Sequence, residues 1–308
     1  MQNGLVLSGG GAKGSYQAGV IKALSELECQ IDAISGASIG ALNGAIITQA
    51  KNLADAADRL QQLWIGIAKD SPLKLDKLKT KSLYMSLLGS FGAVVTPETA
   101  LISRVMQKFG ILDPSEDGLI CESAITDLLD EFIHPDKFDN SIPLYVSVYQ
   151  SSGQLIDVIE FIASSLNFRD NKPSSFIKIQ DLPSSERISL LLASAAIPII
   201  FAAKNINGKK YYDGGMGGAN YSQGNTPIDP LLKDSYNRIY VSHLSDGSLW
   251  SRHNYDASII EIRPQEKRIS RSSIPGADLL GFSAENVLSW IEQGYDDTMY
   301  SVGRIKEA

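Results

Sequence analysis

The sequence predicts an α/β fold in which a parallel sheet carries helices packed on its faces. Two local patterns and one global property predict it. Gly4 to Ser8 is a short apolar strand that runs into a glycine loop and then a helix-like stretch. Ile31 to Ile34 repeats the sequence of strand, glycine turn and helix. Parallel neighbours need a crossover, and a helix supplies it. The chain has 308 residues, 44% of them hydrophobic, enough to bury a large core without disulfides or metal.

Within Ser15 to Leu27, Ala18, Ile21, Leu24 and Leu27 recur at helical spacing. The second strand ends in the turn SGASIG and enters a helix-like run, Ala41 to Ala50. From Ala54 to about Ile133 the pattern is mostly helical, broken at Pro72 and around Gly89 to Pro97. Inside it, SLYMSLLGSFGAVV reads either as core helix and loop or as a mobile cap beside a lipid site. Ile142 to Tyr149 and Leu155 to Phe161 alternate like strands, with Ser151 to Gln154 as the turn of a hairpin. The longest apolar run, Ile188 to Ala203, contains Pro198 and is shorter than the ~20 residues of a spanning helix. It reads as buried core. Lys209 to Tyr212, Arg238 to Leu244 and Ser258 to Ile262 are further strands. The tail from Ala284 to Val302 is a helix with Val287, Trp290, Ile291 and Tyr295 on one face.

The formal net charge is -7, with no basic stripe, which argues against a nucleic-acid polymer as partner. The same balance argues against attraction to anionic membranes by bulk charge, so membrane contact should rest on apolar surface. Cys29 and Cys121 lack paired spacing and read as small buried residues. The first residues run straight into the glycine loop with no basic and apolar leader pattern, so a cytoplasmic location is expected.

Three motifs carry chemistry. Gly36-Ala37-Ser38-Ile39-Gly40 is a G-x-S-x-G pentad between a strand and a helix. Its glycines permit a sharp turn that lifts the serine oxygen clear of the sheet, and the following helix aims its N–H groups at the same spot. Gly9-Gly10-Gly11-Ala12-Lys13-Gly14 exposes backbone N–H groups, which suits a phosphate or the oxyanion of an acyl intermediate. The dinucleotide reading of this loop fails, because the second strand ends in SGAS and not in an acidic residue. The P-loop reading fails too, since Lys13 is followed by Gly14 and not by Ser or Thr. Asp213-Gly214-Gly215 follows the strand-like KKYY. Alone it would be an ordinary turn; beside a serine its carboxylate could take a hydroxyl proton. A nucleophile, an anion-stabilising loop and a base together make the set acyl transfer needs.

With these motifs in this order, the chain resembles the bacterial patatin-like phospholipases, whose signatures are a G-G-G-x-[RK]-G loop, a G-x-S-x-G elbow and a D-G-[GA] turn. Ala193-Ser194-Ala195-Ala196-Ile197-Pro198 and Asn225-Thr226-Pro227 match further segments of that family, and similarity runs from Leu5 to about Pro230. Ile199 stands where glycine is common, and Ala202-Ala203 replaces a usual proline-bearing pair, which bears on the wall of the acyl pocket. The resemblance implies a three-layer α/β/α fold with a mainly parallel central sheet. One domain over residues 1–308 is expected, its motifs within 5–230 and completed by strands and a helix from 236–308.

The resemblance further implies a Ser–Asp dyad. Ser38 is the nucleophile, Asp213 the general base, and the N–H groups of Gly10, Gly11 and Ala12 form the oxyanion hole. Gly9, Lys13, Gly14, Gly36, Gly40, Gly214 and Gly215 support the motifs, Lys13 through the loop or a phosphate headgroup. No metal or cofactor is implied. The expected substrate is a phospholipid or lysophospholipid met by transient peripheral contact with the inner face of the membrane. Some bacterial relatives are defence effectors switched on by a cyclic nucleotide, so an activator of that class is a partner to consider.

Other readings compete. Ser38, Asp213 and His243 fall in the chain order of a Ser–His–Asp carboxylesterase, but the nucleophile comes too early for that fold, and His134, His243 and His253 have no flanking motif. An acyl carrier protein transacylase would carry histidine where Ala37 stands. A non-catalytic lipid-binding module on the same scaffold is the remaining alternative.

Overall fold

The first strand, β1 (Asn3–Leu7), buries Leu5, Val6 and Leu7 completely on its two faces, which suits the middle of a parallel sheet. The protein is seen here in a computed structural model, which describes residues 2–69, 129–153, 172–196, 203–218, 222–245, 250–265 and 283–307. Seven more strands follow: β2 (Ala33–Ala37), β3 (Leu144–Gln150), β4 (Ser175–Lys178), β5 (Lys204–Ile206), β6 (Lys209–Asp213), β7 (Arg238–Ser242) and β8 (Ser258–Ile262). They form one sheet in the order β5-β6-β3-β2-β1-β7-β8, with β4 also pairing β3. The block β3-β2-β1-β7-β8 is parallel throughout. Strands β4 and β6 join β3 antiparallel, and β5 pairs antiparallel with β6 at the edge.

Side chains alternate between two cores. Leu5, Leu7, Ile34, Leu144, Val146, Val148 and Tyr240 point to one face, where they meet α1 (Ser15–Glu26), α2 (Ile39–Thr48), α3 (Leu53–Lys69), α4 (Ser184–Ser194) and α6 (Ala284–Thr298). Val6, Ala33, Tyr145, Ile239 and Val241 point to the other, against the short helix α5 (Asp229–Lys233), Tyr236 and Trp250. The result is three layers with most of the described helix on one side. Helix α6 presents Val287 and Trp290 to the core, with Ile291 packed against it, and the Tyr295 hydroxyl donates to Glu26 at 2.5 Å.

The second strand departs from its expected limits. It runs over Ala33–Ala37, so the pentad's first two residues are still strand and the turn begins at Ser38. Gly36 and Ala37 have weak strand propensity, yet parallel pairing with Leu7 on one side and with Val146 and Ser147 on the other overrides it. Leu155 to Phe161, the segment SLYMSLLGSFGAVV, Ile199, Ala202 and Cys121 lie outside the described residues. Cys29 is buried. Among the described residues no helix is long and apolar enough to cross a membrane.

The topology that matters is at β3. Strand β2 runs parallel to it and ends with Ala37 opposite Ser147. Strand β6 runs antiparallel to it and ends with Asp213 opposite Val148. Both strands therefore finish at adjacent residues of β3, which brings the residue after β2 to the last residue of β6.

Candidate active site

Ser38 stands between β2 and α2 with φ 51 and ψ −128. A side-chain-bearing residue rarely adopts that region, and the strain is tolerated only where the surroundings over-determine it. The left-handed residue of the pentad is thus the serine itself. The glycines serve close approach: a β-carbon on Gly40 would lie 2.2 Å from Leu7 O, and one on Gly36 would lie 2.6 Å from Gly40 O. Ser38 is half-buried and so can be reached.

Asp213 ends β6 and is buried at 6% exposure. The Ser38 side chain lies close enough to its carboxyl to favour the ionised form, and the Gly215 N–H donates to Oδ1 at 2.7 Å. Burial pushes the carboxyl up to about 6, and the Ser38 hydroxyl and the Gly215 N–H pull against that rise. Gly214 must lack a side chain, since a β-carbon there would lie 2.3 Å from Ser147 O.

The glycine loop follows β1, which lies beside β2, so it meets Ser38 from the next strand. A β-carbon on Gly9 would come within 3.0 Å of the Ser38 β-carbon. Gly11 adopts φ 56, in the left-handed region, and opens a single helical turn, Gly11–Gly14. The Lys13 N–H donates to Gly10 O at 3.2 Å, the first bond that turn can make. The N–H groups of Gly10, Gly11 and Ala12 come before it and have no acceptor within the turn. Gly14 packs between α2 and α3; a β-carbon there would lie 2.5 Å from Ile39 and 2.6 Å from Trp64.

The structure therefore brings all three motifs to one place. It does not bring the histidines between Ser38 and Asp213. His134 and His253 are exposed. His243 is buried after β7, with Nε2 3.1 Å from Glu261 Oε2 and its ring against Trp250. No group of three or more His, Cys, Asp or Glu is arranged to hold a metal among the described residues.

Other residues at the site carried no role in the sequence. Asn225 O accepts the Gly9 N–H at 3.2 Å, and its Oδ1 lies against both Gly9 and Gly215. Buried Ser194 accepts the Ser38 N–H at 2.9 Å. Gln17 donates to Ser8 O and Asn43 to Gly14 O, each at 2.9 Å, which ties down both ends of the glycine loop. Asn43 and Gln17 are themselves bonded at 2.8 Å, and Trp64 donates to Asn43 at 3.2 Å. Ser194 and Asn225 sit in the two extra segments that resemble the family, the one signal that could have found them.

The family model for patatin-like phospholipases matches residues 5–232 of this chain. A lysophospholipase, nte1 from Aspergillus terreus, is 65% identical over 43 residues, 14% of this chain and 3% of its own length. Patatin-like phospholipase domain-containing protein 7 from Mus musculus is 41% identical over 72 residues, 23% of this chain and 5% of its own length. The chain thus spans a small part of the curated relatives it matches. Among solved structures, VipD from Legionella pneumophila aligns with a TM-score of 0.44 at 18% identity, covering 98% of this chain and 67% of that one.

Proposed function

The chain belongs to the patatin-like phospholipase family, and from that premise we propose that it is a serine lipid acyl hydrolase of phospholipase A or lysophospholipase type. The observation that carries the reading is the Ser38 side chain set beside the buried Asp213 carboxyl at the ends of β2 and β6, with no imidazole between them. In the proposed reaction Asp213 takes the hydroxyl proton as Ser38 Oγ attacks the ester carbonyl carbon. The N–H groups of Gly10, Gly11 and Ala12 hold the oxyanion. Collapse of the tetrahedral intermediate breaks the ester bond, and Asp213 returns the proton to the departing alcohol. Water, deprotonated by Asp213, then attacks the acyl carbon; the bond to Ser38 Oγ breaks, the fatty acid leaves, and Asp213 returns the proton to Ser38 Oγ. Losing one oxyanion donor typically costs on the order of 10²–10³ in turnover. Contact with the bilayer is taken to be peripheral and transient, at its cytoplasmic face, by a single domain that spans the whole chain.

The test is labelling by a fluorophosphonate probe, with peptide mapping, alongside hydrolysis of defined phospholipid and lysophospholipid vesicles. Label on Ser38, with both label and hydrolysis lost in Ser38→Ala, is expected. Folded protein that takes no label, or a Ser38→Ala variant that still hydrolyses lipid, overturns the proposal. His243→Ala should keep most of the turnover; a collapse with folding preserved would restore the triad. Adding a cyclic-nucleotide panel to the vesicle assay decides whether a small activator is needed.

A further inference from the structure

We infer that Ser194 is a positioning residue for the reacting pair, its hydroxyl holding the backbone of Ser38 while the turn after it holds the backbone of Asp213. The inference rests on the reading of Ser38 as nucleophile. Ser194 is the last residue of α4 and is fully buried. Its Oγ accepts the Ser38 N–H at 2.9 Å and donates to Ser147 O at 2.7 Å. Two residues on, Ala196 O accepts the Asp213 N–H at 2.9 Å. One short segment therefore grips both residues, and its third hold is on Ser147, where β2 ends.

Ser38 sits where a helix would ordinarily be capped. A serine there normally turns its oxygen onto the helix N–H groups from an extended backbone. Here φ is 51 and the side chain makes no capping bond, so the oxygen is available to Asp213. Something must hold the strained backbone against relaxing into the ordinary cap. A hydroxyl suits that task because it can accept from Ser38 and donate to Ser147 at once. Alanine does neither, and both backbone groups are then left without a partner in the interior. The expected relaxation carries the Ser38 oxygen toward the helix and away from its base.

The test compares Ser194→Ala and Ser194→Cys with the wild type on a soluble acyl ester. The readouts are kcat, KM and the rate of fluorophosphonate labelling at Ser38. An ångström of misplacement can cost about 100-fold, so kcat should fall about 10- to 100-fold in Ser194→Ala while KM stays within about twofold. Labelling should slow in parallel. The cysteine variant, a weak hydrogen bonder of similar size, should lie between. Wild-type protein that takes no label sinks the nucleophile reading itself. With labelled wild type, a folded Ser194→Ala variant that keeps kcat within about twofold overturns the positioning role, even if its melting temperature drops. Should the alanine variant not fold, the cysteine variant is judged by the same criterion. Hydrogen exchange in the wild type is an independent check: a Ser38 amide that exchanges like an exposed one refutes the inference.

Discussion

Asp213 has two properties that burial sets against each other. A carboxyl raised to about 6 is a base poised close to neutral pH, where proton transfer is most effective. The same burial penalises its ionised form. Because the folded value lies above the ordinary 3.8, the folded state binds the proton more tightly than the unfolded chain does. Stability therefore falls as pH rises from about 3.8 through about 6 and is level above that. The gap corresponds to on the order of 3 kcal/mol. Asp213→Asn keeps an oxygen for the Gly215 N–H and removes the charge. In urea unfolding at pH 8 it should be more stable than wild type by on the order of 1–3 kcal/mol, with the difference closing near pH 4. Its turnover should drop by at least about 10³. Wild-type kcat/KM should climb with pH through about 6 and then flatten. An asparagine variant less stable than wild type at pH 8 would show that the carboxylate is not the burden described.

At the scale of elements, α1 and α6 are held together by two glycines. A β-carbon on Gly19 would lie 1.9 Å from Ile291 O, and one on Gly294 would lie 2.0 Å from Tyr16 O. The Tyr16 hydroxyl donates to buried Asp297 at 2.9 Å across the same contact. Gly19→Ala gains helix propensity but must push α6 away, and overpacking of this kind costs about 1–3 kcal/mol or more. A drop in melting temperature, with lower turnover because α1 begins directly after the glycine loop, is the expected result. An alanine variant as stable as wild type counts against the close contact. Much around this contact was legible in the sequence. The amphipathic spacing of α1 and α6 matches the helices, the strand expected over Ser258 to Ile262 is β8 to the residue, and the three motifs lie together in space. The close contact at Gly19 was not legible, because its partner Gly294 lies in an element far along the chain. Ser194 was legible as a family segment but not as a hydrogen-bond partner, since that role depends on where α4 ends relative to β2. The end of β2 was misjudged for a related reason: pairing on both sides extends a strand through residues that propensity would assign to the turn.

At the scale of the molecule, the family match ends at residue 232, while the sheet does not. Strand β7 lies between β1 and β8 and pairs with β1 along its whole length. The glycine loop leans on the same strand. The Ser8 N–H donates to Ser242 O at 3.1 Å, and a β-carbon on Gly10 would lie 2.8 Å from Leu244. Helix α6 covers the face of α1 that carries Gly19 and Tyr16. A fragment of residues 1–232 would hold every motif residue yet leave β1 as a bare edge of fully buried leucines and valine. It would also leave the loop without its support. Such a fragment should show no cooperative urea transition, should bind a hydrophobic dye, and should take no fluorophosphonate label at Ser38. Cooperative unfolding with labelling retained would mean that the matched region is a folding unit in its own right. The strands and helix after residue 232 would then be an addition to the site and not part of what builds it.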